Sequence, residues 1–186
     1  MTNEIFKNNI GQKFEKLDEV IVPRKNSKGT YVKWLIKFLD TGTTKWVYRE
    51  NAIAGKVRDE YSVSVYGVGF LGFYNKELTY AKKAKQLWRN MMKRCYCEKD
   101  KKGYFGYVTV SNRWHCFENF LDDLPSIKNF NLWLNAEETK YNLDKDLRGD
   151  GTVYSLEVCQ FITEHDNKSA GAKATLKDYK RTKSLV

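Results

Sequence analysis

Hydrophobic and polar residues alternate with a period of two along the first third of the chain and change to a period near 3.6 further on. Phe14, Val20-Ile21-Val22, Tyr31 to Leu39 and Trp46-Val47-Tyr48 are runs rich in β-branched and aromatic residues, which predicts short strands. Asn26-Ser27-Lys28-Gly29 and Asp40-Thr41-Gly42-Thr43 separate them with turn chemistry. Side chains point to opposite faces of a strand in turn, so Val32, Trp34, Ile36 and Phe38 share one face and Lys33, Leu35, Lys37 and Leu39 the other. Such strands between Gly11 and Val57 predict a small closed barrel or a strongly bent sheet, because closure hides strand edges.

This first segment, residues 1–60, resembles a Tudor-type β-barrel. Residues 61–76 read as a glycine-rich linker, with Tyr66-Gly67-Val68-Gly69-Phe70-Leu71-Gly72 at its centre. Its spacing fits neither a dinucleotide-binding loop nor a P-loop. From Thr79, a candidate N-cap, the period becomes helical, with Ala84, Leu87, Trp88, Met91 and Cys95 on one stripe. Tyr104 to Val110 alternates as a strand, and Trp114 to Leu124 predicts an amphipathic helix that Pro125 ends. Leu143 to Ile162 predicts two strands around Arg148-Gly149-Asp150-Gly151, followed by a helical or extended piece from Asp166-Asn167. The expected fold class is α+β, with a second domain over residues 77–170 and a basic tail over 171–186.

Charge narrows the function. The chain has 186 residues, 41% apolar and 15% aromatic, enough for a packed core. Its net charge of +10 and isoelectric point near 9.3 favour an anionic partner. The densest basic run is Lys82, Lys85, Arg89, Lys93, Arg94, Lys101 and Lys102, opposed only by Glu98 and Asp100, and it is the first candidate for phosphate contacts. Lys33, Lys37, Lys45 and Arg49 in the first segment read instead as a solvating face. No apolar run is long enough for a membrane span and no signal-peptide core is present, which predicts a cytoplasmic protein with reduced thiols. Cys95-x-Cys97 is not the ligand spacing of common zinc modules. His115 reads as a surface or hydrogen-bonded histidine.

The second half carries a resemblance. Trp88, Met91, Arg94, Cys95 and Tyr96 are followed by a Tyr/Gly segment from Tyr104, then by Val110, Trp114, Phe117, Asn119 and Phe120. Leu143-Asp144-Lys145, Gly151, Tyr154, Cys159 and Phe161 complete the set. This constellation is similar to a family of bacteriophage proteins classed with HNH-type DNA endonucleases. The resemblance implies a strand-strand-helix module, duplex DNA as partner, and a bacterial host cytoplasm. It also implies one magnesium or manganese ion held by Asp144, Asp146, His165 and Asn167, with Asp144, Lys145 and Asp146 at the catalytic positions.

Two positions depart from the pattern. Lys145 stands where an active member has its histidine base, and Val158 stands where asparagine precedes the cysteine. A lysine accepts a proton only after losing its own, which burial favours and adjacent carboxylates oppose. The expectation is therefore a DNA-binding protein on an HNH-like scaffold with weak or absent cleavage. The alternatives are a metal-dependent nicking or homing-type endonuclease, and a phage inhibitor of a host nucleic-acid-targeting defence nuclease.

Overall fold

The computed structural model describes residues 4–25, 28–100 and 104–169. The chain is a mixed α+β protein that divides into two compact units, residues 1–62 and 63–186. Among the described residues no helix is long and apolar enough to cross a membrane. Lys101, Lys102 and the expected basic tail over 171–186 lie outside the described residues.

The first unit is an antiparallel sheet of four strands in the order β1 (Ile5–Lys7), β2 (Lys13–Pro23), β3 (Thr30–Phe38) and β4 (Thr44–Tyr48). Alternation decides its core: Trp34, Ile36 and Phe38 from β3 are buried with Phe14 from β2, and Val32 packs at their margin. Each large apolar side chain so buried contributes about 1.5–3 kcal/mol. The β2–β3 register shifts between Lys16 and Asp18, a bulge that bends the sheet. Helix α1 (Arg49–Ile53) follows β4 directly and adds Ala52 to the core. The Asn8 side-chain amide donates to the Val57 carbonyl at 2.8 Å and draws the end of the unit back to its start.

The second unit is built around α2 (Ala81–Tyr96), whose buried stripe is Ala81, Ala84, Trp88, Met91, Met92 and Cys95. Against it pack Trp114, from a 3-10 turn over Asn112–His115, and Phe117, Phe120 and Leu121 of α3 (Phe117–Asp123). The Trp88 indole donates to the Trp114 carbonyl at 2.7 Å, and the Trp114 indole donates to Asp123 at 2.9 Å. Leu124 to Ser126 form a second 3-10 turn. Helix α4 (Phe130–Leu134) then brings Trp133 to stack on Phe161 at 4.9 Å.

Several segments differ from the sequence expectation, each for a packing reason. Helix α2 begins at Ala81 behind Tyr80, and no side-chain bond caps it, so Thr79 is not its N-cap. The helix expected over 114–124 is broken at Cys116, which is extended and bridges to Phe70. Of the strand expected over 104–110 only β5 (Thr109–Val110) forms. The glycine-rich stretch belongs to the second unit from Val63 on: Val65 is in its core, and Phe70 takes a backbone bond from Phe117. Glycine permits this closeness. A Cβ at Gly69 would meet Met92 at 3.0 Å and Trp88 at 3.1 Å, and Gly72, at φ +65, lies directly against Glu118.

The strands around Arg148 to Gly151 do not pair with each other. β7 (Val153–Tyr154) pairs in parallel with β5, while β6 (Tyr141–Asp144) pairs antiparallel with β8 (Gln160–Thr163). Burial of both Tyr154 and Cys159 in the main core forces the intervening chain to leave β6 and return to it later.

Candidate functional site

Helix α2 contains Lys82, Lys83, Lys85, Arg89, Lys93 and Arg94 and no acidic residue. Its apolar stripe is fixed in the core, so the positively charged residues are displaced to the opposite side. Lys82, Gln86, Arg89 and Lys93 recur at helical spacing and are all exposed. Neither Lys82 nor Arg89 has an ion-pair partner among the described residues, and the Lys93 ammonium is 3.9 Å from Asp100. Lys85 turns inward, donating to the Tyr74 hydroxyl at 3.0 Å and lying over its ring. Arg94 is exposed and lies with Tyr154 along one groove of the unit. The expected basic face therefore sorts into three outward cations and two that make contacts within the unit, with Lys101 and Lys102 outside the described residues.

Beside this helix lies a groove of about 190 Å³ lined by Asn90, Arg94, Tyr141, Asn142, Leu143 and Tyr154, among others. The sequence motif singled out Arg94, Leu143 and Tyr154. Asn90 and Asn142 were missed, because a lone asparagine carries no signal until two elements bring it to one cleft.

Lys145 follows the last residue of β6 and is 3% exposed. Its ammonium sits 4.4 Å from the centre of the Tyr104 ring, 5.5 Å from that of Tyr154, and 2.5 Å from Oδ1 of Asp146. Two aromatic faces and one carboxylate thus replace the water that the cation lost on burial. Asp146 is itself half exposed. Asp144 is buried; its Oδ2 accepts from the Leu147 amide at 3.0 Å, while its Oδ1 has no hydrogen-bond partner among the described residues.

His165 and Asn167 are not gathered to this place. In the β6–β8 register Asp144 faces Gln160, while Tyr141, at the other end of β6, faces Thr163. The helical turn over 164–169 starts beyond Thr163, a strand length of about 10 Å away from Asp144. His165 is 91% exposed, its nearest charged neighbour being Asp166 at 3.6 Å. Of the expected set, Asp144 lies beside the ion pair of Lys145 and Asp146, while His165 and Asn167 stand at the other end of the strand pair. The cause is the strand pairing, which sends the end of β8 away from the Asp144 turn. Among the described residues no group of three or more acidic, histidine or cysteine side chains is placed to hold a metal ion.

Burial tunes the groups around the lysine. It pushes the Cys95 thiol up to about 11 and the Cys159 thiol up to about 12, and it raises the Tyr154 phenol further. None is poised as a nucleophile or proton donor near neutral pH. His115 is not free either, since its Nε2 lies 3.0 Å from the Tyr96 hydroxyl. Compared with protein-family models, with curated proteins and with solved structures, the chain matches none.

Proposed function

We propose that this protein binds duplex DNA through the outer stripe of α2 and belongs to the phage proteins on an HNH-endonuclease-like scaffold, with weak or absent cleavage. The observation that carries this reading is the stripe of Lys82, Arg89 and Lys93, outward-facing on a helix with no acidic residue. Cations so arranged release counterions from the phosphate backbone and position a protein without reading bases. The antiparallel β6–β8 pair followed by a helical turn supports the strand-strand-helix module. The bulged four-stranded meander of the first unit supports a Tudor-like barrel. Against cleavage stands Lys145 at the base position: it is buried among two rings and held by Asp146, so water has no route to it as a proton acceptor.

A second reading, metal-dependent nicking, is favoured by one atom. Oδ1 of Asp144 is buried without a partner, which magnesium or manganese would satisfy, and magnesium needs only one or two carboxylates when waters and phosphate complete its shell. Such an ion would neutralise charge on a scissile phosphate. Asp146 is less suited to share it, because the Lys145 ammonium already occupies its Oδ1.

Supercoiled plasmid incubated with magnesium or manganese, run beside a gel shift in chelator, tests both. The expected result is a shift without nicking. Log affinity should fall with log salt at a slope of about −3 if three phosphates are neutralised. Lys82→Ala/Arg89→Ala/Lys93→Ala should weaken all duplex sequences alike. Affinity indifferent to salt overturns the first reading. Metal-dependent nicking that disappears in Asp144→Asn establishes the second.

A further inference from the structure

The first unit carries a surface that the α2 reading leaves unused. On the sheet face away from the core, Lys33 lies opposite Tyr48, Leu35 opposite Trp46, and Val22 opposite Tyr31. Tyr48 and Trp46 are 40% and 45% exposed, although rings of that size ordinarily anchor a core. Two grooves meet here. One, of about 640 Å³, is walled by Pro23, Arg24, Lys25, Tyr31, Lys33 and Tyr48. The other, of about 370 Å³, shares Lys33 and Tyr48 with it and runs past Trp46 to Lys56 and Arg58. No described acidic side chain lines the first, and the acid in the second, Glu60, is 2.7 Å from Lys45.

Rings and cations come in pairs along this track. Tyr31 and Tyr48 have centroids 5.0 Å apart; the Arg24 guanidinium lies 4.5 Å over Tyr31 and the Lys33 ammonium 5.2 Å over Tyr48. A face that only has to be solvated needs charge and no exposed rings. A duplex offers phosphates but hides the faces of its bases, so it would use the cations and leave the rings idle. A single strand uses both, stacking bases on the rings while its phosphates take the cations.

We propose that this face binds single-stranded nucleic acid, with bases stacked on Tyr48 and Trp46 and phosphates along Arg24, Lys25 and Lys33. The cations now over the rings are on flexible arms and swing to the phosphates as bases replace them. The site belongs to the first unit alone and does not depend on the duplex reading of α2.

Anisotropy of a labelled oligothymidylate with the full-length protein tests the proposal, with unlabelled duplex as competitor. Wild type should bind, and Trp46→Ala/Tyr48→Ala should weaken binding by on the order of tenfold or more. Trp46→Phe/Tyr48→Phe should keep most of it. If the alanine pair melts early, Lys25→Glu/Lys33→Glu leaves the rings in place and must show the same loss. The α2 triple variant should lose duplex affinity and retain the oligothymidylate. No binding by wild type, competition by duplex at equal nucleotide concentration, or a loss confined to the α2 variant overturns the proposal. Failure of duplex binding alone overturns only the α2 reading.

Discussion

The ammonium of Lys145 lies 4.4 Å from the centre of the Tyr104 ring, in a pocket that leaves the residue 3% exposed. Lys145, a candidate catalytic position in the sequence, is in the fold a buried cation paired with Asp146. Because burying a charge costs several kcal/mol that pairing only repays, Lys145→Met should change stability by less than about 1 kcal/mol or raise it. Asp146→Asn, which strands the cation, should cost about 1–3 kcal/mol, the lower part of that range reflecting the half-exposed carboxylate. Denaturant melts of the two variants check this; the reverse order would show that the lysine charge itself holds the turn.

Metal should separate the two functional readings without any substrate. An ion on Oδ1 of Asp144 binds the folded state alone, so magnesium or manganese would raise the melting temperature, and Asp144→Asn would remove the rise. The expected outcome under the binding reading is an unmoved melting curve. Lys145→His is the companion test: cleavage that appears in this variant would show that the scaffold aligns a phosphate and lacks only a proton acceptor.

Acid should weaken the second unit through Asp123. Burial alone raises its carboxyl; hydrogen bonds from Arg113 and Trp114, with the guanidinium's charge, outweigh that and hold it below the ordinary value near 3.8. A value lowered by folding means that the carboxylate adds stability above the ordinary range and loses it as pH falls from about 4 through the folded value. Asp123→Asn should therefore be less stable than wild type at pH 7, by about 1–2 kcal/mol, with the gap closing as the wild-type carboxylate is protonated in acid. Melting temperature against pH for both proteins reads this directly, and a gap that persists in acid would assign the loss to packing.

Glycine variants test how the stretch over 63–76 is held. Gly42 and Gly72 both have positive φ, but a Cβ at Gly42 meets nothing within 4 Å, whereas at Gly72 it meets Glu118 and, at 2.9 Å, Cys116. Gly42→Ala should cost about 1 kcal/mol from backbone strain alone and Gly72→Ala clearly more. Equal losses would mean that this stretch yields without disturbing α3.

Thiol reactivity gives a fifth test. Cys95, Cys116 and Cys159 are buried and their thiols are raised by that burial, whereas Cys97 is half-buried. An alkylating reagent at neutral pH should modify Cys97 first and reach the other three only on unfolding, as mass spectrometry of partially labelled protein would show.

The sequence by itself determined the elements whose partners are near at hand or whose period is long. Alternation along Val32, Trp34, Ile36 and Phe38 set the core face of the first sheet, because a strand has two faces and only one was free of lysine. The repeat of Ala84, Trp88, Met91 and Cys95 set the buried side of α2 and thereby the side left for its cations. Tertiary structure alone decided which distant pieces meet. A two-residue strand such as Val153–Tyr154 carries too little pattern to choose a partner, and burial of Tyr154 beside Val110 chose β5 over the neighbouring β6. That choice sent β8 back along β6 with His165 at the far end from Asp144. It left Lys145 among Tyr104, Tyr154 and Asp146, an arrangement set by long-range burial and not by spacing along the chain.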